Sequence, residues 1–215
     1  RFSYQQKFGG MTMLNYRAVG NRVAVNFESL NLPIAKSDAL EILKGMDFRI
    51  IDVDMVKLAR EYIEKSTYRL GARLFEAPKI FDCSSFPKWV YGQHGIWLPR
   101  RSIQQFQMGE PVLLNKVRDG DLVFFAGYRK NHFYDKPEEG IGHVALATSE
   151  KTLIQITFLK GHLHEESLDA FLEKRAFRGA RRYISLDRKV ITLEAPKNRE
   201  VETADDIRWI ILQSL

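Results

Sequence analysis

One cysteine occurs in the 215-residue chain, in the run Phe81-Asp82-Cys83-Ser84-Ser85-Phe86, and a histidine follows later in Ile141-Gly142-His143-Val144. A thiol is only slightly ionised near neutral pH, so a nucleophilic cysteine needs an imidazole base, a helix N-terminus, or both. A lone cysteine is ordinarily just a small apolar side chain. Cys83 differs in having both aids within reach of the sequence pattern. A third polar group, Gln155, stands in the otherwise apolar run Leu153-Ile154-Gln155-Ile156-Thr157-Phe158. On a strand beside that of His143 it could face the ring and hold it in place. Nucleophile, base and orienting amide would make a triad whose third member carries no charge.

Each of these side chains needs an element to hold it. From Ser84 through Phe86, Trp89, Val90 and Tyr91 to His94-Gly95, apolar residues recur at spacings of three and four, which predicts a helix stopped by Gly95. Pro87 falls in its first turn, where a missing N–H costs little. Cys83 then sits at or just before the helix N-terminus, where unpaired amides favour a thiolate. Ile141, His143, Ala145 and Ala147 alternate with residues that are also largely apolar, which predicts a strand buried on both faces. An imidazole in such a strand must find a polar partner.

The order of motifs resembles that of the NlpC/P60 cysteine peptidases, from near Ala59 to about Ser185. Tyr68-Arg69-Leu70-Gly71 is similar to the family's approach to the nucleophile, and Asp82-Cys83-Ser84 to the nucleophile motif. Gly95-Ile96 with Leu98-Pro99-Arg100-Arg101-Ser102 resembles the loop that follows. Gly120-Asp121-Leu122-Val123-Phe124-Phe125 and Gly142-His143-Val144 resemble the two strands that bring the base. The resemblance implies an α+β, papain-like fold: a central antiparallel sheet with the nucleophile at the N-terminus of a packed helix. It implies hydrolysis of peptidoglycan stem peptides, commonly between D-glutamate and a diamino acid, with Cys83 as nucleophile and His143 as base. Gln155 falls where the family usually has a second histidine. Tyr68, Asp82, Ser84 and Ser102 match positions that contact the substrate's free amino end or line the cleft. Ser85 stands where glycine is typical, and Arg101 where aspartate is frequent, which could shift preference toward a more acidic substrate. His162 and His164 are the rivals of Gln155 as orienting residue. Two further readings stay open: a catalytically silent member that binds muropeptide or a protein partner, and an acyltransferase using the same nucleophile and base.

Composition bounds the remainder. The net charge is +6, with a basic cluster at Lys174, Arg175, Arg178, Arg181 and Arg182, but no nucleic-acid motif accompanies it. No apolar run is long enough for a membrane-spanning helix, and no charged-then-apolar start marks a signal peptide; cytoplasm and cell envelope both stay open. His162 and His164 with Glu165 and Glu166 lack a second ligand group at tetrahedral-site spacing, so neither a metal nor another cofactor is expected. The expected partner is a peptidoglycan-type peptide, not nucleic acid; the oligomeric state is unknown. Residues 1–50 read as an N-terminal arm packing on a catalytic domain at 51–186, and 187–215 as a C-terminal strand and helix extension. Within these, Arg22 to Phe27 and Val190 to Leu193 read as strands. Ser37 to Leu43, capped by Ser37, reads as a helix, as do Val53 to Lys65 and the capped segment from Thr203 through Leu212. Tyr128 to Glu139 reads as a polar loop bordering the site.

Overall fold

Alternation of apolar residues turns the middle of the chain into a sheet, and capping side chains set the ends of the helices around it. The computed structural model describes residues 16–127, 140–184 and 189–215, so the loop expected at Tyr128 to Glu139 lies outside the described residues. In chain order the elements are β1 (Arg22–Asn26), α1 (Lys36–Gly45), β2 (Arg49–Ile51), α2 (Met55–Glu61), β3 (Thr67–Tyr68), β4 (Ile80–Phe81) and α3 (Ser85–Gln93). There follow α4 (Ser102–Phe106), β5 (Glu110–Val112), β6 (Leu122–Phe125), β7 (His143–Ala147), β8 (Thr152–Ile156), β9 (Leu163–Ser167), α5 (Leu168–Lys174), β10 (Phe177–Arg182), β11 (Val190–Glu194) and α6 (Ala204–Leu212). They fall into two compact units, one of Val53–Gln93 with Leu98–Ser185, the other of Arg1–Asp52, His94–Trp97 and Leu186–Leu215.

The first of these units carries the α+β, papain-like arrangement. Its sheet has the strand order β5-β10-β6-β7-β8-β9 and is antiparallel throughout. Every residue of β6 and β7 is buried, as near-continuous apolar runs require when both faces of a strand are covered. On one face Val123, Phe125, Ala145, Ala147 and Leu153 pack with Leu168 and Phe171 of α5. Just before β7 the backbone passes so close to Gly127 that a Cβ on Gly142 would lie 2.3 Å from the Gly127 Cα. No residue but glycine fits there without moving the backbone. The parallel pair β3–β4 sets Tyr68 opposite Phe81 and leads directly into Asp82 and Cys83. Helix α2 is shorter than its apolar stripe predicts: Asp54 caps it by accepting from the Lys57 N–H at 2.9 Å, and the chain turns away after Glu61.

The second unit has its own three-stranded sheet, ordered β1-β11-β2, and its own core. Val23 and Val25 of β1 join Leu43 of α1, Leu193 of β11, and Ile207 and Ile211 of α6 in that core. The terminal segments, expected as an arm and a separate extension, thus contribute to one sheet. A capping box closes the start of α6, where the Thr203 N–H donates to the Asp206 carboxylate at 2.8 Å. Ser37 is not the cap of α1: the helix starts at Lys36 with Ala35 in the capping position, and the Ser37 hydroxyl turns to Asp38.

Candidate active site

Cys83 occupies the turn between β4 and α3, half-buried, two residues before the helix proper. Asp82 builds that turn. Its carboxylate accepts from the N–H groups of Ser84 at 3.2 Å and Ser85 at 2.8 Å, and its carbonyl accepts from the Phe86 N–H at 3.2 Å. These are the bonds an N-capping residue supplies to the open end of a helix. Ser85 fits this turn because its hydroxyl accepts from the Asp82 N–H at 2.8 Å. The backbone N–H groups of Ser84 and of Val144, the residue after His143 on β7, act on the Cys83 thiol. Burial pushes the thiol up to about 12, with the Asp82 charge adding to the effect, while those two N–H groups and the Arg100 guanidinium pull the other way.

His143 opens β7 and is buried against the rings of Phe125 and Phe171. Its Nε2 donates to Gln155 Oε1 at 2.6 Å. Burial pulls the imidazole down to about 4, against the opposing influence of the Gln155 bond. The pairing follows from register. Leu146 faces Ile154 and Ala147 faces Leu153, which sets Gln155 diagonal to His143 on the same face of the sheet. Gln155 is itself fully buried, and its amide nitrogen donates to Glu166 Oε1 at 2.8 Å. Of the residues that could orient His143, Gln155 is therefore the one that meets its ring. His164 lies opposite Gln155 on β9 and turns to the carbonyl of His162 and to Glu166. His162 makes a bridge to Thr67.

The expected substrate-contacting residues are placed unevenly. Asp82 and Ser84 share a network with Arg100, whose guanidinium donates to both Asp82 oxygens, to the Ser84 hydroxyl at 2.9 Å and to the Ala72 carbonyl at 2.7 Å. The Gly71 N–H adds a bond to the same carboxylate at 3.0 Å. Burial works to raise the Asp82 pKa, but Arg100 and Ser85 outweigh it and hold the carboxyl below its ordinary range. Tyr68 stands beside the Phe158 ring at 6.1 Å, edge to face, and Ser102 is buried at the start of α4. Arg101 is exposed and occupies the capping position of α4.

Sequence reasoning named Arg100 and Glu166 without giving either a place at this site. Arg100 was legible only as one of two adjacent arginines, and nothing in the pattern says which turns inward. Glu166 becomes visible once β8 and β9 are in register, because alternation then sends it to the Gln155 face and sends Glu165 to Arg60. The basic cluster is largely engaged within the unit: Lys174 with Glu166, Arg182 with Asp121, and Arg181 stacked 3.8 Å over the Phe106 ring. Among the described residues no three His, Cys, Asp or Glu side chains group to hold a metal, and no helix is long and apolar enough to cross a membrane.

The NlpC/P60 family model matches residues 65–182. Among curated proteins, the gamma-D-glutamyl-L-lysine dipeptidyl-peptidase of Bacillus cereus is 32% identical over 106 residues, covering 48% of this chain and 29% of that protein. The peptidoglycan DL-endopeptidase CwlO of Bacillus licheniformis is 28% identical over 127 residues, covering 57% of this chain and 26% of that protein. The chain thus spans under a third of the length of these relatives. Among solved structures, an NlpC/P60 family protein from Bacillus cereus superposes with a TM-score of 0.50 at 26% identity, over 61% of this chain and 40% of that one. NlpC2 of Trichomonas vaginalis shares the fold with a TM-score of 0.51 at 18% identity, over 60% of this chain and 45% of that one.

Proposed function

The chain belongs to the NlpC/P60 family, and from that premise we propose that it is a cysteine peptidase that hydrolyses an amide bond in peptidoglycan stem peptides, between D-glutamate and a diamino acid. The observation that carries the reading is the buried His143–Gln155 bond at 2.6 Å, on the strand whose next residue, Val144, acts through its N–H on the Cys83 thiol. The names of the two Bacillus relatives, a gamma-D-glutamyl-L-lysine dipeptidyl-peptidase and a peptidoglycan DL-endopeptidase, support the choice of substrate.

Gln155 Oε1 accepts the proton-bearing Nε2 of His143, so Nδ1 is the nitrogen left to act as base. Burial pushes the Cys83 thiol up and pulls the His143 imidazole down. In acylation the Sγ–carbon bond forms, the thiol proton passes to Nδ1, and the carbonyl oxygen becomes an oxyanion. Collapse breaks the carbon–nitrogen bond as Nδ1 returns its proton to the leaving amine. Water then attacks the thioester and gives a proton to Nδ1. The carbon–sulfur bond breaks, and the thiolate recovers that proton.

Cys83→Ala and His143→Ala are expected to abolish release of the diamino-acid product from a muropeptide, as followed by mass spectrometry, while both variants still bind it. A wild-type protein that binds muropeptide without cleaving it would overturn the peptidase reading and make the chain a binder. Product carrying a new acyl acceptor in place of water would make it an acyltransferase.

A further inference from the structure

Gln155 is not the end of the chain of hydrogen bonds that begins at His143. The geometry points to Glu166 as a positioning residue for the catalytic pair: its carboxylate sets which way the Gln155 amide faces, and thereby which nitrogen of His143 is free to take the thiol proton. This rests on the thiol–imidazole reading above and goes beyond it.

The arrangement follows from the β8–β9 register, in which Leu153 faces Glu166 and Gln155 faces His164. Glu166 is diagonal to Gln155 on the same face, within reach of two long side chains. Gln155 Nε2 lies 2.8 Å from Glu166 Oε1, and the opposite end of the amide lies 2.6 Å from His143 Nε2. The two ends of a glutamine amide are alike in shape and opposite in hydrogen-bonding character. With nothing behind it, such an amide can present either end to an imidazole. Were the NH₂ presented, His143 Nε2 would have to accept, the ring proton would sit on Nδ1, and no base would face Cys83.

An ionised carboxylate behind Gln155 removes that alternative. It only accepts, so it holds the NH₂ and leaves the oxygen to His143. Turning the amide would set two acceptors against each other in a buried place, with neither satisfied. The structure keeps Glu166 ionised: Lys174 donates to its Oε2 at 2.9 Å and His164 Nε2 lies 3.1 Å from its Oε1. Burial opposes ionisation, yet these partners outweigh it and lower the carboxyl below its ordinary range. Glu166 also places negative charge near an imidazole that becomes cationic during acylation. Lys174 and His164 sit against Glu166, and Arg175 bears on His143 with the opposite sign.

The test combines a tautomer readout with kinetics. Nitrogen-15 NMR of the wild-type protein, with the His143 signals identified against His143→Ala, is expected to show the Nε2–H form. A proton on Nδ1 would overturn the proposal without any variant being made. In Glu166→Gln, which conserves shape but lets the amide at 166 face either way, His143 is expected to show both tautomers. Its kcat on a muropeptide should fall about tenfold with KM unchanged, a part of the full contribution of acid–base catalysis. The acid limb of kcat/KM should move to lower pH, because a negative charge near the imidazole has gone. A folded Glu166→Gln protein with one tautomer and wild-type kcat would sink the role of Glu166. If the wild type cleaves no muropeptide at all, the peptidase reading fails on its own account, and the tautomer measurement still decides whether Glu166 orders the pair.

Discussion

A glutamine cannot become charged, yet in the proposed mechanism the imidazole that Gln155 would orient carries a proton on both nitrogens midway through acylation. The bond from His143 Nε2 to Gln155 Oε1, at 2.6 Å, serves both states of the ring because the amide oxygen accepts in each. Gln155→Ala removes that acceptor and leaves the ring free to turn. Turnover is expected to fall about ten- to a hundredfold, within the range of orienting and acid–base effects; steady-state kinetics on a muropeptide checks it, and a silent variant would remove Gln155 from the site. The same pocket sets the pH dependence. Burial holds His143 down to about 4, and a base works only when unprotonated, so kcat/KM is expected to persist on the acid side of 6.5 and to fall as pH approaches 4. A profile whose acid limb sits at 6.5 or higher would mean that the free enzyme carries His143 as an ordinary imidazole. Asp82 has a structural part in the turn that the sequence pattern does not announce. Its acidic side chain invites the reading of an ammonium receptor, and in the structure Arg100, Gly71 and the start of α3 donate to it.

The strand β7 delivers His143, and its approach depends on the close passage of Gly142 over Gly127. Gly142→Ala would force a Cβ to within 2.3 Å of backbone, so something must shift. The expected cost is about 1–3 kcal/mol, the usual range for overpacking, together with a loss of activity as His143 moves. Gly161→Ala provides the control, since nothing lies within 4 Å of its Cβ and only its left-handed backbone, φ 75°, resists the change. It should cost about 1 kcal/mol, from backbone strain alone. Denaturant melts of the two variants decide between them: equal costs would mean that the Gly127 backbone yields easily. At this scale much was readable in advance. Continuous apolar runs announced β6, β7 and β8, and the Thr203 segment announced a capped helix. Helix ends were less so, because caps such as Asp54 compete with apolar periodicity and cut α2 to Met55–Glu61.

Over the whole molecule, the titrating groups with lowered values act in one direction. His143 is buried neutral, so an unfolded chain binds a proton below about 6.5 that the folded one refuses until about 4. Stability from this group is intact above 6.5 and is lost as pH falls between those values, by at most about 3 kcal/mol. Asp82, Glu165, Glu166 and Glu194 are held below their ordinary values by arginine, lysine and amide partners, and add losses at still lower pH. Thermal melts at pH 7, 5.5 and 4 are expected to fall steadily; a melting temperature that rises on acidification would contradict the buried neutral imidazole. The division of labour between sequence and tertiary structure follows from distance along the chain. Identity and local pattern are short-range properties, so Cys83, its helix N-terminus, the strand of His143 and the polar residue on the next strand could all be named from sequence. Register, burial and the partners of charged side chains come from residues far apart in sequence meeting in space. Only folding could choose Gln155 over His162 and His164, turn Arg100 rather than Arg101 inward, set Glu166 behind the amide, and draw both terminal segments into one sheet.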